Sequence, residues 1–226
     1  MANSENGIPP RLPTAIIFCN WSSLTTLVGR WNPVSSPCVW QTSDGERMAS
    51  FEIRPAASSD LPRLTGMDHS CSSDYVWQLE LRNETKRVTA AFHEVRLPRS
   101  VTVTYPRDPL ALAEEWMKRG VLLVAEKGGK VVGYVSAEED RVSAIARVTD
   151  LVVAPEARRQ GAASALLSAI QAWALERGVR RILIEMQSKN YPCIRLAQKF
   201  GYEFCGYNDK YYPTQDVALF FGRAIK

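Results

Sequence analysis

Long apolar runs are missing from this 226-residue sequence. Nothing approaches the roughly 18–20 consecutive apolar residues that a spanning helix needs, so neither a transmembrane helix nor a membrane partner is expected. The longest early run, Ala15-Ile16-Ile17-Phe18-Cys19, falls short of the roughly 7–15-residue core of a secretory signal and lacks a basic flank and a small-residue cleavage site; the expected location is cytoplasmic. Cysteine is sparse. Cys19, Cys38, Cys71, Cys193 and Cys205 are odd in number and contain no C-x-x-C pair, which argues against a disulfide framework and a zinc site and leaves free thiols. His69 and His93 have no carboxylate or cysteine at ligand spacing, so no metal is expected. The net charge of +4 is small and dispersed, so no nucleic-acid partner is expected either. G-x-x-x-x-G-K-[ST] is absent, as is G-x-G-x-x-G after a first strand, which sets aside a P-loop NTPase and a dinucleotide fold.

What is present is a folded chain. A composition of 46% hydrophobic, 23% charged and 9% aromatic residues is close to the globular average, and the length suits one domain with an appendage. Residues 1–47 carry few charges, are rich in Ser, Thr, Asn and Pro, and show no helical or strand period. They read either as a disordered extension or as sequence upstream of a natural start at Met48, with the domain over 48–226.

From Met48 the pattern is mixed α+β. Phe51–Pro55 alternates as a strand, and Ser58-Ser59-Asp60 offers N-capping groups before a helix. Val76–Arg82 and Arg87–Leu97 suit two strands joined at Asn83-Glu84, with a helix through Asp74–Leu81 as the alternative. Pro109 opens a helix through Arg119, Val121–Ala125 is a buried strand, and Gly128-Gly129 a hairpin turn leading to Lys130–Glu138. Ala144–Val153 reads as a central strand, Gly161–Glu176 as a long helix with Trp173 on its core face, and Arg181–Met186 as a strand. A helix over Asn190–Phe200 and strands at Tyr202–Tyr207 and Val217–Gly222 complete the order.

The most informative stretch runs from Leu151 to Ser164: an apolar strand, a basic turn, then small residues opening a helix. The first four N–H groups of a helix have no intrahelical partner and sit at the positive end of its dipole. Gly161, Ala162, Ala163 and Ser164 leave that backbone bare enough for a phosphate to touch, while Arg158 and Arg159 add cationic donors at the rim. A pyrophosphate cradle and an ordinary helix start with two solvated arginines both suit the pattern.

Arg158-Arg159-Gln160-Gly161-Ala162-Ala163 matches [QR]-x-x-G-x-[GA], and Asn190 to Tyr202 matches roughly N-x-x-A-x-x-x-Y-x-x-x-G-[FY]. On these two motifs, in this order and separation, the chain resembles the GNAT superfamily of N-acetyltransferases from about Phe51 to Gly222. The segment from Glu185 to Gly206 also looks like the streptothricin acetyltransferase branch. The resemblance implies a mixed, mostly antiparallel central sheet flanked by helices and splayed at the acyl-CoA site. It implies acetyl-CoA as co-substrate and an amine acceptor, small molecule or protein, acetylated by direct transfer in a ternary complex by a monomer or homodimer. Leu151, Val152 and Val153 would pair with the pantetheine arm like an added strand. Amides from Gln160 to Ser164 would hold the pyrophosphate. Asn190 would bond the pantetheine region, although an Asn at a helix start is equally explained as an N-cap.

Amide formation requires a neutral amine, and an alkyl ammonium of pKa about 10.4 costs on the order of 4–5 kcal/mol to deprotonate at neutral pH. Asp150 and Glu185 are the candidate carboxylates. Because strand side chains alternate, at most one of the two is expected to reach the cleft unless a bulge intervenes. Ala197 stands where the family commonly has a tyrosine that protonates the departing thiolate. Tyr191, Tyr207, Tyr211 and Tyr212 are the candidate replacements, with Tyr211 expected to be catalytic. A catalytically weak acyl-CoA-binding sensor is the alternative that Ala197 motivates.

Overall fold

The structure, a computed structural model, describes residues 51–226 together with a two-residue strand, β1 (Cys38–Val39). The expected division between residues 1–47 and the domain otherwise lies outside the described residues; β1 pairs antiparallel with β2 (Glu52–Pro55).

Phe51 and Ile53 point into the core from one face of β2, as alternation demands. A 3₁₀ turn at Ser58–Asp60 leads into α1 (Leu61–Thr65). The serines do not cap this helix. Asp60 instead turns back, accepting the Ala57 N–H at 2.8 Å and Arg54 Nη1 at 2.7 Å, which fixes the end of β2 against the turn.

Residues 71–103 form one long hairpin, β3 (Cys71–Glu84) and β4 (Arg87–Val103), and not a helix. Its turn is Thr85-Lys86, two residues beyond the expected site, with Glu84 opposite Arg87. The second strand, expected to end at Leu97, continues to Val103 because the register shifts there: Tyr75 faces Arg96 and Ser73 faces Val101, so Pro98 sits in a bulge that asks nothing of its missing N–H. Trp77 and Phe92 seat the hairpin on the domain, with Trp77 5.5 Å from Phe221 and Phe92 5.2 Å from Phe204 between ring centroids.

The helix expected over Pro109–Arg119 is shorter: α2 (Ala111–Glu115) gives way to a 3₁₀ turn at Trp116–Lys118. Leu110 and Met117 face solvent, so no apolar stripe sustains the helix, and Arg119 is drawn to the sheet by Glu138 (3.0 Å) and Thr149 (3.2 Å).

β5 (Val121–Lys127) and β6 (Lys130–Asp140) are joined by Gly128-Gly129, both at positive φ as a two-residue hairpin turn requires. β7 (Ile145–Val153), α3 (Ala162–Glu176), β8 (Arg181–Gln187), α4 (Tyr191–Lys199), β9 (Glu203–Asn208) and β10 (Ala218–Ala224) follow within a residue or two of the periodicity. The strands form one eight-stranded sheet, ordered β1-β2-β5-β6-β7-β8-β10-β9, with β7 and β8 parallel and every other neighbouring pair antiparallel.

Leu166, Leu167, Ile170 and Trp173 of α3 and Ile194 of α4 bury one sheet face with Val135, Val148, Ile182 and Ile184. Leu64 of α1 and Leu112 of α2 close the opposite face over Leu122, Val124 and Tyr134. Among the described residues no helix is long and apolar enough to cross a membrane.

Candidate active site

The site begins with a break in the sheet. β7 and β8 pair only from Ile145 opposite Arg181 to Val148 opposite Ile184. Beyond that point Leu151–Val153 has only β6 as a strand partner, and Glu185–Gln187 only β10, so the two strands part in a V. A β-bulge lies at the fork: Val148 faces Ala137 and Asp150 faces Ser136, leaving Thr149 as the extra residue. Bulges bend a strand and reset its alternation. Ala146 and Val148 point toward α3, as do Leu151 and Val153 after the bulge, while Val152 points to the α1–α2 side. Asp150 therefore shares the α1–α2 face with Glu185, and the bulge brings both expected carboxylates to one cavity.

That cavity, about 270 Å³, is walled by Tyr105, Arg107, Asp150, Glu185 and Tyr211, and its full lining includes three arginines against five carboxylates. Arg107 holds its two buried acids together. Nη2 donates to Glu185 Oε1, while Nη1 donates to the Thr149 carbonyl at 2.8 Å and lies 3.4 Å from Asp150 Oδ1. Asp150 also accepts the Tyr105 hydroxyl and, at 2.8 Å, the Thr149 hydroxyl. Glu185 accepts Tyr212 at 3.2 Å and Tyr211 at 3.4 Å. Burial, reinforced by the adjacent carboxylates, pushes the Tyr105 and Tyr212 phenols well above the ordinary tyrosine value, so both remain proton donors in these bonds. Burial works against the charge of Arg107, but Asp150 and Glu185 outweigh it and keep the guanidinium ionised.

Sequence reasoning missed Tyr105 and Arg107. They lie in a short linker ahead of α2 with no period or motif, and only their proximity to two buried acids identifies them. Of the expected tyrosines, Tyr211 and Tyr212 reach Glu185. Tyr191 donates to Glu94 at 3.0 Å, and Tyr207 packs on Phe92. Ala197 is buried in the α3–α4 core.

At the other end of the V, a 3₁₀ turn at Pro155–Ala157 delivers the chain to α3. Gly161 is the N-cap at φ +100°, a left-handed conformation that a Cβ would strain, and no side chain caps the helix behind it. The Ala162, Ala163 and Ser164 amides stand at the start of a 15-residue helix dipole, a suitable seat for a diphosphate. Arg159, at φ +62°, belongs to this turn. Gln160 is tied at both ends, donating to the Glu156 carbonyl at 2.7 Å and accepting Lys127 Nζ at 2.6 Å.

One expectation changes, and one of two alternatives is seen. Arg158 does not stand free at the rim, because its Nε donates to the Val153 carbonyl and its Nη2 to those of Asp68 and Ser70. Asn190 is a working N-cap of α4, its Oδ1 accepting the Cys193 N–H at 3.2 Å. Cys71, Cys193 and Cys205 are free, and burial pushes the Cys193 thiol up to about 12, which leaves it unreactive.

The streptothricin acetyltransferase of Streptomyces lavendulae is 21% identical over 169 residues, covering 73% of this chain and 87% of that protein. A solved nourseothricin acetyltransferase superposes with a TM-score of 0.65 at 23% identity, over 78% of this chain and 99% of its own. A Bacillus anthracis protein described as a streptothricin acetyltransferase, solved with acetyl coenzyme A, superposes with a TM-score of 0.59 at 18% identity, over 77% and 99%. These superpositions show a common fold. The sequence model of the acetyltransferase (GNAT) family matches residues 88–202, which include the bulge, both carboxylates and the α3 turn, and the chain belongs to that family.

Proposed function

We propose that the protein transfers the acetyl group of acetyl-CoA to a primary amine of a small cationic molecule, by direct attack in a ternary complex. The observation that carries this reading is the V between β7 and β8, with a bare helix start at its open end and Asp150 and Glu185 side by side at its fork. In this reading the α3 amides and the Gly161 turn hold the pyrophosphate, and the edge of Leu151–Val153 turned away from β6 receives the pantetheine arm as an added strand through the groups that remain after Arg158 Nε has taken the Val153 carbonyl. The thioester then lies near the bulge, over the cavity.

The excess of carboxylates over arginines in the lining favours a cationic acceptor. The amine must shed a proton before it attacks. Glu185 Oε2, facing the partly exposed Tyr211, is the atom best placed to draw that proton through one water. The amine nitrogen bonds to the thioester carbon, the C–S bond breaks, the nitrogen releases its second proton to solvent, and the thiolate takes a proton from solvent or from Tyr211, which solvent then reprotonates. A free thiol of pKa about 8.5 leaves without a strong acid, so Ala197 does not prevent turnover. Arg107 holds both acids against mutual repulsion, and Tyr105 fixes Asp150.

Similarity to streptothricin and nourseothricin acetyltransferases supports a small-molecule acceptor. The test is release of free thiol from acetyl-CoA across a panel of mono- and polyamines, including streptothricins, with a peptide N-terminus as comparison. Turnover confined to the peptide would overturn the small-molecule reading. Coenzyme binding without thiol release across the panel would favour a sensor.

A further inference from the structure

Arg158 occupies the first position of the phosphate-turn motif, yet its side chain is directed inward. Nε donates to the Val153 carbonyl at 2.8 Å, and Nη2 donates to Asp68 O at 3.0 Å and Ser70 O at 2.8 Å. All three protons on that edge of the fork are engaged by carbonyls, leaving only Nη1 to reach outward.

The gripped segment, residues 68–71, runs across the open end of the V. Arg158, after β7, holds one end; at the other, Cys71 Sγ lies 3.6 Å from Oδ1 of Asn190, which follows β8. Between the two gripped carbonyls sits His69. Its Nδ1 pairs with the Met67 carbonyl at 2.7 Å and its Nε2 with the Tyr134 hydroxyl at 3.0 Å, so Nδ1 donates and Nε2 accepts. The His69 ring lies 4.8 Å from that of Tyr105, whose hydroxyl donates to Asp150. A continuous set of contacts thus joins the phosphate turn to the carboxylate fork.

We propose that Arg158 is a positioning residue for the acceptor side of the site, holding the 68–71 strap so that His69 and Tyr105 fix Asp150, and is not a ligand of the coenzyme phosphates. The inference rests on the acetyltransferase reading above. A planar fork suits the task because it meets two carbonyls of one strap and one of β7 at once, which a lysine ammonium on a flexible stem does not reproduce.

The sequence has two histidines, so NMR can follow His69 with His93, exposed beside Glu80, as the internal reference. Burial holds the His69 imidazole below its ordinary value of 6.5, against the opposing pull of the Met67 carbonyl and of Asp150 and Asp68. In Arg158→Ala the strap loosens, and the His69 titration should move up toward 6.5 while that of His93 stays put. Calorimetry with coenzyme A on the same variant should give a Kd within about threefold of wild type. Arg158→Lys keeps a cation for phosphate but loses the fork; it should shift His69 in the same direction. An unmoved His69 in either folded variant overturns the proposal, and so does a weakening of coenzyme A by about tenfold or more in Arg158→Ala. Failure of the wild-type protein to bind coenzyme A would instead remove the acetyltransferase reading, and the His69 titration would still report on the strap.

Discussion

The turn before α3 and the cavity at the fork of β7 and β8 are two halves of one site built on opposite principles. The turn is a single run of chain, residues 151–164, that offers backbone amides at the start of α3 behind a glycine at positive φ. The cavity draws Tyr105 and Arg107 from a linker, Thr149 and Asp150 from β7, Glu185 from β8, and Tyr211 and Tyr212 from the loop after β9, and it is built mainly from side chains, charged groups bonded to hydroxyls. Binding by main chain needs one conformation. Binding by buried charges needs every partner at once, since each unpaired member of a buried ionic set costs far more than its pairing contributes.

Removal of Arg107 tests this contrast most severely. Arg107→Ala leaves Asp150 and Glu185 buried without their shared cation and should lower stability by about 3–5 kcal/mol in urea titration, with acetyl transfer lost. In the turn, the same loss of function should come without loss of fold. Gly161→Glu places a carboxylate where phosphate oxygens bind, and calorimetry should show acetyl-CoA affinity reduced by about 100-fold or more, while the thermal midpoint reflects only the φ strain of about 1–2 kcal/mol.

A carboxylate outside both regions calibrates the scale. The Arg54 hydrogen bond, with help from the Ala57 N–H and against the effect of burial, holds the Asp60 carboxyl below its ordinary value of 3.8. A depressed folded value stabilises above the unfolded value and is lost as pH falls through the folded one. Asp60→Asn should therefore cost about 1.5–3 kcal/mol at neutral pH, and the difference from wild type should close below pH 3.8. Asn190→Ala should cost about 1 kcal/mol as a lost cap; a fall in coenzyme affinity larger than that would give the residue a pantetheine role as well. Tyr211→Phe removes one long hydrogen bond to Glu185 from a partly exposed ring, and should lower kcat less than tenfold with stability changed by about 0.5–1 kcal/mol.

The two halves also differ in how far the sequence revealed them. Gly161 with its small neighbours marked the turn because one glycine at positive φ and an uncapped helix are local facts. Asp150 and Glu185 were visible as acids on neighbouring strands, but alternation placed them on opposite faces, and only the register across β6 and β7 exposes the extra Thr149 that reverses this. Tyr105 and Arg107 carried no signal, because a linker residue acquires a role only when distant acids fold against it. Arg158 misled for the same reason: a motif gives its position, whereas the carbonyls of Asp68 and Ser70, some ninety residues earlier, determine where its guanidinium turns. The strand expected over Arg87–Leu97 runs on to Val103, because the bulge that accommodates Pro98 is a property of the pair of strands and not of either alone.

By itself the sequence determined most of the order of strands and helices, the hairpin at Gly128-Gly129, and the bare turn at Gly161 that opens α3, since each follows from period, φ preference or small residues within a short stretch. The tertiary structure alone decided that β7 and β8 part after four paired residues, that two acids share one cavity under one arginine, and that residues 68–71 link Arg158 after β7 to Asn190 after β8. Those features depend on burial and on partners far apart in the chain, and charge placed in a low-dielectric interior is defined by what surrounds it.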